Sequence, residues 1–481
     1  MSQNSIYWYD FETFGVNPRR DRASQFAGIR TDEDLNIIGE PLMMYCKPAN
    51  DFLPNPMACL ITGISPQKAQ QEGVSEAEFI RRIEREFSAP CTCVAGYNSI
   101  QFDDEVTRQL LYRNFYDPYE REWKNGNSRW DIIDTMRLCA AVRPEGINWP
   151  RNEFGNISFK LDQLSVANGI EHEDAHDALA DVIATIEMAK LIKQHQPKLY
   201  QYAYGLRSKR EVQKQLDMRS RSPVLHVSTM YSADRGRLAL VMPIGQHPLN
   251  NNGVIVYDLR NNPAEWKDLP VEEIRRRIFT PREKLGEGER RIALSSIAIN
   301  KCPLISPISV LDNERAADYA IDLDICRQHW QLIDQDYALT QKILQVFSEE
   351  PSVEESDPDF MIYSGGFFSD HDKDLMSMVR TVKPEDLSRI DLPFRDRRLH
   401  EMYFRYRARN FNEYLSEEEL SRWQQFRIER LVDSDARQSF GKSLVEAKAR
   451  AAEDSKGKTA TTVLDDLENY VNELGESLSA S

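Results

Sequence analysis

The sequence predicts an α/β domain, then a mainly β domain, then an α-helical domain. Three observations predict it. Strand-like and helical segments alternate from residue 6 to about residue 190, short apolar runs punctuated by Gly, Asn and Pro take over near Pro223, and helical periodicity prevails beyond an acidic stretch at residues 348–359. With 481 residues and roughly 150 per domain, about three domains are expected.

In the first third, residues 6–11, 25–30, 42–46 and 92–97 read as strands and residues 103–113 as a helix. Across residues 176–194, Leu179, Val182, Ile183, Ile186 and Ala189 recur at helical spacing. A polar, basic stretch at residues 195–215 leads into the runs LALVMPI and GVIVYDL of the β domain, which should extend to about residue 347 with helical segments at its end. The run SEEPSVEESDPD reads as a linker, and the chain beyond it is helical through MYFRYRARNF to about residue 450. The tail from Ala451, rich in Glu, Asp, Lys, Ser and Thr, reads as a loosely attached helix or as disordered chain. The expected domains are 5–190, 197–350 and 355–475, with disorder the alternative for about the last 25 residues.

Hydrophobic residues at 41% and charged residues at 29% are ordinary for a soluble globular protein. The start MSQNSIYWYDFETFG lacks a basic region followed by an apolar stretch, and no run of about 18 apolar residues occurs, so neither a membrane nor an export route is expected. Seven cysteines, with Cys91 and Cys93 too close for zinc-ligand spacing, read as reduced and structural, which fits the cytoplasm. A net charge of −16 argues naively against a polyanionic partner, but local distribution matters more than the sum.

Asp10 and Glu12 lie two apart on a strand, so their side chains project from one face together with Ile6 and Trp8. Paired carboxylates suit a hard divalent cation such as Mg²⁺, although a D-x-E alone reads most simply as two acids on a solvent-facing strand. The context adds to it. In YNSIQFDDEVTRQLLYRNF a strand leads through Asn98 into a helix opening with Asp103, and AHDALADVIATI supplies His176 and, five residues on, Asp181. At 100° per residue those two are about 140° apart, which puts His176 at the helix entrance and turns Asp181 to the sheet. A capping histidine and a surface acid are the ordinary alternatives, but Asp181 falls among apolar positions.

Around these motifs Arg108, Arg113, Tyr112, Tyr116, Tyr119, Trp123, Arg129, Trp130, Arg137, Phe159 and Lys160 interleave charge with rings, as single-stranded nucleic acid requires. About half of the aromatics are expected in the core. A second patch carries Arg395, Arg397, Arg398, Arg405, Arg407 and Arg409, read either as facing DNA or as a solvated surface paired to neighbouring acids.

Taken together, D-x-E, N-x-x-x-F-D and H-x-x-x-x-D resemble the exonuclease motifs of the DEDDh 3′-to-5′ exonuclease superfamily. More closely, YDFETFG, LITGIS, YNSIQFDDEVTR, YRNFYDPY, NSRWDIIDTMR, RPEGINWP, ANGIEH, INKCP and FRYRARNF are similar to the bacterial exonuclease I family over residues 6–415. The resemblance implies a ribonuclease-H-like nuclease domain, an SH3-like β domain and a C-terminal helical domain that closes around the nuclease domain. It implies processive, Mg²⁺-dependent 3′-to-5′ hydrolysis of single-stranded DNA to 5′-mononucleotides, in repair and recombination. Two Mg²⁺ ions, with Mn²⁺ able to substitute, would be held by Asp10, Glu12, Asp103 and Asp181, with their crowded carboxylates raised in pKa when metal-free and His176 as general base.

By the same resemblance Glu12, Thr13 and residues 61–64 seat the terminal nucleotide. Arg108, Tyr119, Trp123, Arg137, Phe159 and Lys160 contact the strand, lysine standing at 160 where the family often has arginine. The acidic C-terminal tail of the single-stranded-DNA-binding protein is an expected partner, with Arg143 and Tyr202 in its pocket. The enzyme is expected to be a monomer. The alternative activity is that of a 3′-to-5′ exoribonuclease trimming RNA ends, since carboxylates and a histidine do not choose the sugar. A non-catalytic DNA-binding module would require a broken motif, and every position is present.

Overall fold

The computed structural model describes residues 4–171, 177–349, 355–432, 435–453 and 457–479. The chain divides into two compact units, one of residues 1–128, 172–186 and 353–481, the other of residues 129–171 and 187–352.

In the first unit, β1 (Ser5–Thr13), β2 (Ala23–Thr31), β3 (Leu42–Tyr45) and β4 (Thr92–Gly96) lie in the order β3-β2-β1-β4. β1 pairs antiparallel with β2 and parallel with β4, and β2 pairs antiparallel with β3. The period of two divides β1 cleanly. Tyr7, Tyr9 and Phe11 point to one face, where Tyr9 meets Phe87 at 4.9 Å and Phe11 meets Phe26 at 5.0 Å between ring centroids. Ile6, Trp8, Asp10 and Glu12 point to the other. Phe79, Ile80, Ile83 and Phe87 form the apolar stripe by which the helix Glu76–Phe87 joins the core under the aromatic face.

β5 (Ser128–Asp131) carries the chain into the second unit, and Asp131 caps the helix Ile132–Val142 by accepting from the Ile133 N–H. There β6 (Val224–Val227), β7 (Leu238–Gln246), β8 (Gly253–Asp258), β9 (Leu294–Ala298) and β10 (Leu304–Pro307) form an antiparallel sheet in the order β10-β6-β7-β8-β9. The helices Leu323–Asp334 and Tyr337–Val346 contribute Cys326, Ile333, Leu339 and Ile343 to the same core.

The C-terminal segment returns to the first unit as a set of helices. In its arginine-rich helix, Arg397–Asn410, the expected pairing with acids is found, but the expected exposure, to solvent or to DNA, is corrected for four arginines whose side chains are buried inside the protein. Arg409 bonds Asp51 at 2.8 Å and Asp359 at 2.5 Å, Arg405 bonds Asp357 at 2.5 Å and Asp359 at 3.1 Å, Arg398 bonds Asp396 at 2.7 Å, and Arg407 bonds Glu419. Only Arg395 and Arg397 of the patch are exposed. The tail corrects a second expectation. Of the two forms its composition allows, it takes the helix Gly457–Ser479, and that helix is packed rather than loose, since Val463, Leu467 and Val471 join Phe14, Tyr45, Cys59 and Ile64 in one core cluster. Among the described residues no helix is long and apolar enough to cross a membrane.

Candidate active site

Asp10 and Glu12 leave β1 on the face opposite Tyr7, Tyr9 and Phe11, and Asp181 sits in the first turn of the helix Ala178–His195. One oxygen from each of the three carboxylates lies within 4.8 Å of the others. The start of that helix is fixed by a residue that the motifs do not contain. Gln25 stands opposite Glu12 in the β1–β2 ladder, donates to Asp177 Oδ2 at 3.0 Å and accepts from the Ala178 N–H at 3.2 Å. Asp177 in turn accepts from the N–H groups of Leu179 and Ala180 at 3.1 and 3.3 Å. The one sequence signal for Gln25 is a long polar side chain within an apolar strand.

Asp103 is not in the trio of converging oxygens. It is buried at the opening of the helix Asp103–Arg113, and its Oδ1 accepts from the Phe11 N–H at 3.1 Å. Asn98, at φ 61°, makes the left-handed turn between β4 and this helix. The neighbouring Asp104 has a different role, pairing with Arg121 at 2.5 Å and accepting from the Tyr9 hydroxyl at 2.9 Å.

Burial pushes the Asp10 carboxyl well above the usual carboxylate range, and Asp103, Glu12, Asp181 and Asp177 add to the effect. Burial pushes Glu12 up to about 9, helped by Asp181, Asp103 and Asp177. A desolvated site with only negative neighbours favours protons or a cation.

His176 lies outside the described residues. Thr13 is buried, its hydroxyl donating to the Gly15 carbonyl at 2.6 Å, beside an irregularity in the β1–β2 register at Glu12 and Thr13. Ile64 is core, whereas Ile61 is exposed and free to meet a ligand. Arg108 is buried and spends its charge on Glu122 at 2.8 Å, with its guanidinium over the Tyr119 ring at 5.5 Å. Trp123 is 66% exposed, and Phe367, which sequence reasoning missed, is 87% exposed and meets Tyr119 edge-on at 6.0 Å.

In the second unit Arg137 is buried, bonds Asp134 at 2.5 Å and lies over the half-buried Phe159 ring at 5.8 Å. Lys160 is exposed at the start of the helix Leu161–Ala167. Arg143 and Tyr202 line one cavity of about 440 Å³, walled by Leu138, Val142, Leu199 and Pro307, with Lys198 also in its lining. The Tyr202 hydroxyl donates to the Ile305 carbonyl at 2.8 Å.

Three family descriptions match successive parts of the chain: an exonuclease domain over residues 7–189, the exonuclease I SH3-like domain over 207–349 and the exonuclease I C-terminal domain over 356–474. The fold class expected from the sequence is therefore the one found. Exodeoxyribonuclease I of Haemophilus influenzae is 46% identical over 431 residues, 89% of this chain and 91% of that protein. The crystal structure of E. coli exonuclease I in complex with a dA16 oligonucleotide superposes with a TM-score of 0.94 at 41% identity, covering 98% of this chain and 100% of that one. Exonuclease I of Methylocaldum szegediense superposes with a TM-score of 0.91 at 49% identity, covering 98% and 99%.

Proposed function

The chain belongs to the exonuclease I family, and from that premise we propose that it hydrolyses single-stranded DNA processively from the 3′ end, with Mg²⁺, to 5′-mononucleotides. The observation that carries this reading is the convergence of the Asp10, Glu12 and Asp181 oxygens within 4.8 Å in a desolvated, wholly acidic site. Carboxylate oxygens without thiolate or imidazole suit Mg²⁺ or Mn²⁺. When bound, two such ions supply charge neutralisation at the scissile phosphate and a nucleophile at neutral pH.

Asp10, Glu12 and Asp181 would hold the metal. Asp103 would join them, directly or through water, and its bond to the Phe11 N–H ties β1 to the helix that carries it. His176, neutral, takes the proton from the attacking water, whose oxygen bonds to phosphorus as the bond to the 3′ oxygen of the penultimate nucleotide breaks. Glu12 and Thr13 seat the terminal nucleotide, with Ile61 as the apolar wedge under its base. Arg108, Tyr119, Trp123, Arg137, Phe159 and Lys160 contact the strand. The oligonucleotide bound to the E. coli relative supports DNA as the substrate.

The domains assigned are 5–190, 197–350 and 355–475. The cavity at Arg143 and Tyr202 takes the acidic C-terminal tail of the single-stranded-DNA-binding protein, its apolar walls holding side chains and Arg143 the carboxylates. In the cell this is a monomeric cytoplasmic enzyme of repair and recombination. The test is a 5′-labelled DNA strand incubated with Mg²⁺ beside matched duplex and RNA. Stepwise shortening of the single DNA strand alone is expected, and shortening of RNA instead would move the chain to RNA-end trimming.

A further inference from the structure

A second cavity, of about 260 Å³, lies wholly within the second unit, and three arginines, Arg137, Arg151 and Arg237, line it. Its size falls just under the ~300–1,000 Å³ of pockets for drug-sized ligands, which suits a group of about one nucleotide. Two rings, Phe159 and Tyr319, also line it. Asp234 and Asp318 stand in the lining too, but both are exposed, and among the described residues no ion pair involves Arg151 or Arg237.

The arginines are built into place. Arg237 has a left-handed backbone at φ 54°, directly after Gly236 at φ 62°, a conformation that costs a side-chain-bearing residue and persists only where the surroundings enforce it. At the preceding position the Tyr319 ring leaves room only for glycine, because a Cβ placed on Gly236 would come within 2.4 Å of it. One nitrogen of Arg237, Nη1, donates to the carbonyls of Thr229 and Tyr231 at 3.1 and 3.2 Å. Arg151 is anchored similarly by one bond, to the Gly155 carbonyl at 2.5 Å. The Nε of the buried Arg137 has no hydrogen-bond partner among the described residues. Burial holds Arg237 below its ordinary pKa, and the nearby charge of Arg137 lowers it further, so two guanidinium groups repel each other here. An anion relieves that repulsion.

We propose that this cavity is a phosphate subsite for the bound strand, taking one internucleotide phosphate between Arg151 and Arg237 with a base against the Phe159 or Tyr319 ring. The subsite rests on the single-strand nuclease reading above and adds Arg151, Arg237 and Tyr319 to its contacts. Guanidinium and aromatic ring together recognise backbone and base without regard to sequence.

The test compares the full-length protein with R151Q, R237Q and the double variant. Arg151 is exposed, so R151Q keeps the experiment decisive even where R237Q is poorly folded. Affinity for a 20-nucleotide DNA strand is measured against salt concentration in EDTA, and hydrolysis of the p-nitrophenyl ester of thymidine 5′-monophosphate in Mg²⁺ serves as control, being too short to occupy a second phosphate site. The expected result is a roughly tenfold weaker affinity in the double variant, a salt slope flatter by about 0.7 per arginine removed, and unchanged ester hydrolysis. An unchanged slope in R151Q overturns the proposal, as does a parallel loss of ester hydrolysis. If the wild type cleaves neither substrate yet the slopes still flatten, the nuclease reading fails and the phosphate subsite stands.

Discussion

The Asp103 carboxylate accepts a hydrogen bond from the Phe11 N–H at 3.1 Å, which ties the acid of the second motif to the strand residue between Asp10 and Glu12. An Asp103→Asn variant keeps an acceptor there and should fold with near-native stability while losing most of its cleavage rate. Asp103→Ala also orphans a buried N–H, at a cost of about 1–3 kcal/mol. Denaturant unfolding beside a rate assay separates the two, and equal stability of the variants would show that the bond contributes nothing.

The carboxylates at the site make a metal-free protein sensitive to base. Glu12 is raised to about 9 in the folded state, so the fold binds a proton that the unfolded chain releases above about 4.5. Stability must therefore fall as pH rises between those values. In EDTA, Tm is expected to be lower at pH 8.5 than at pH 6, and added Mg²⁺ to raise it more at the higher pH. A Tm that rises with pH in EDTA would contradict the electrostatics.

Gln25 positions the helix that carries Asp181, and its replacement by Leu should act as the loss of an outer partner of a metal site does. The Mg²⁺ concentration for half-maximal rate is expected to rise about 10- to 100-fold, with the rate recovered at saturating metal. An unchanged metal requirement would remove Gln25 from the site.

Arg409 offers the clearest stability test. Burial alone would raise Asp51 and Asp359, but the arginines outweigh it, Arg409 foremost, and hold both acids far below the usual range. For Glu76 burial is likewise outweighed, by Arg113 and Arg22, which bring it to about 2. Because these folded values lie below the unfolded ones, the network's stabilisation is complete above about pH 5 and lost as pH falls toward 2 and below. Arg409→Met leaves two buried carboxylates under-compensated and should cost about 3–5 kcal/mol in denaturant unfolding at pH 7. A loss under 1 kcal/mol would show that water reaches the network.

These residues also mark what a sequence can and cannot carry. Asp10 and Glu12 were legible because a strand's period of two fixes their shared face, and Asp103 because a strand-to-helix junction places it nearby. The fate of Arg405 and Arg409 was not legible, since their partners Asp51, Asp357 and Asp359 lie about 50 or more residues away and only the fold brings them together. Composition hid the packed tail, because its many polar residues mask an apolar stripe through Val463, Leu467 and Val471. Gln25 acts through a ladder partner and a helix N-terminus, neither of which has a local signature.

The most direct test of the central claim, that Asp10, Glu12 and Asp181 hold the metal used for cleavage, is anomalous scattering from a crystal soaked in Mn²⁺, beside the same experiment and a cleavage assay on Asp181→Asn. A peak about 2.0–2.2 Å from oxygens of all three carboxylates is predicted, lost with the activity in the variant. Cleavage retained by Asp181→Asn, or a peak bound elsewhere, would contradict it.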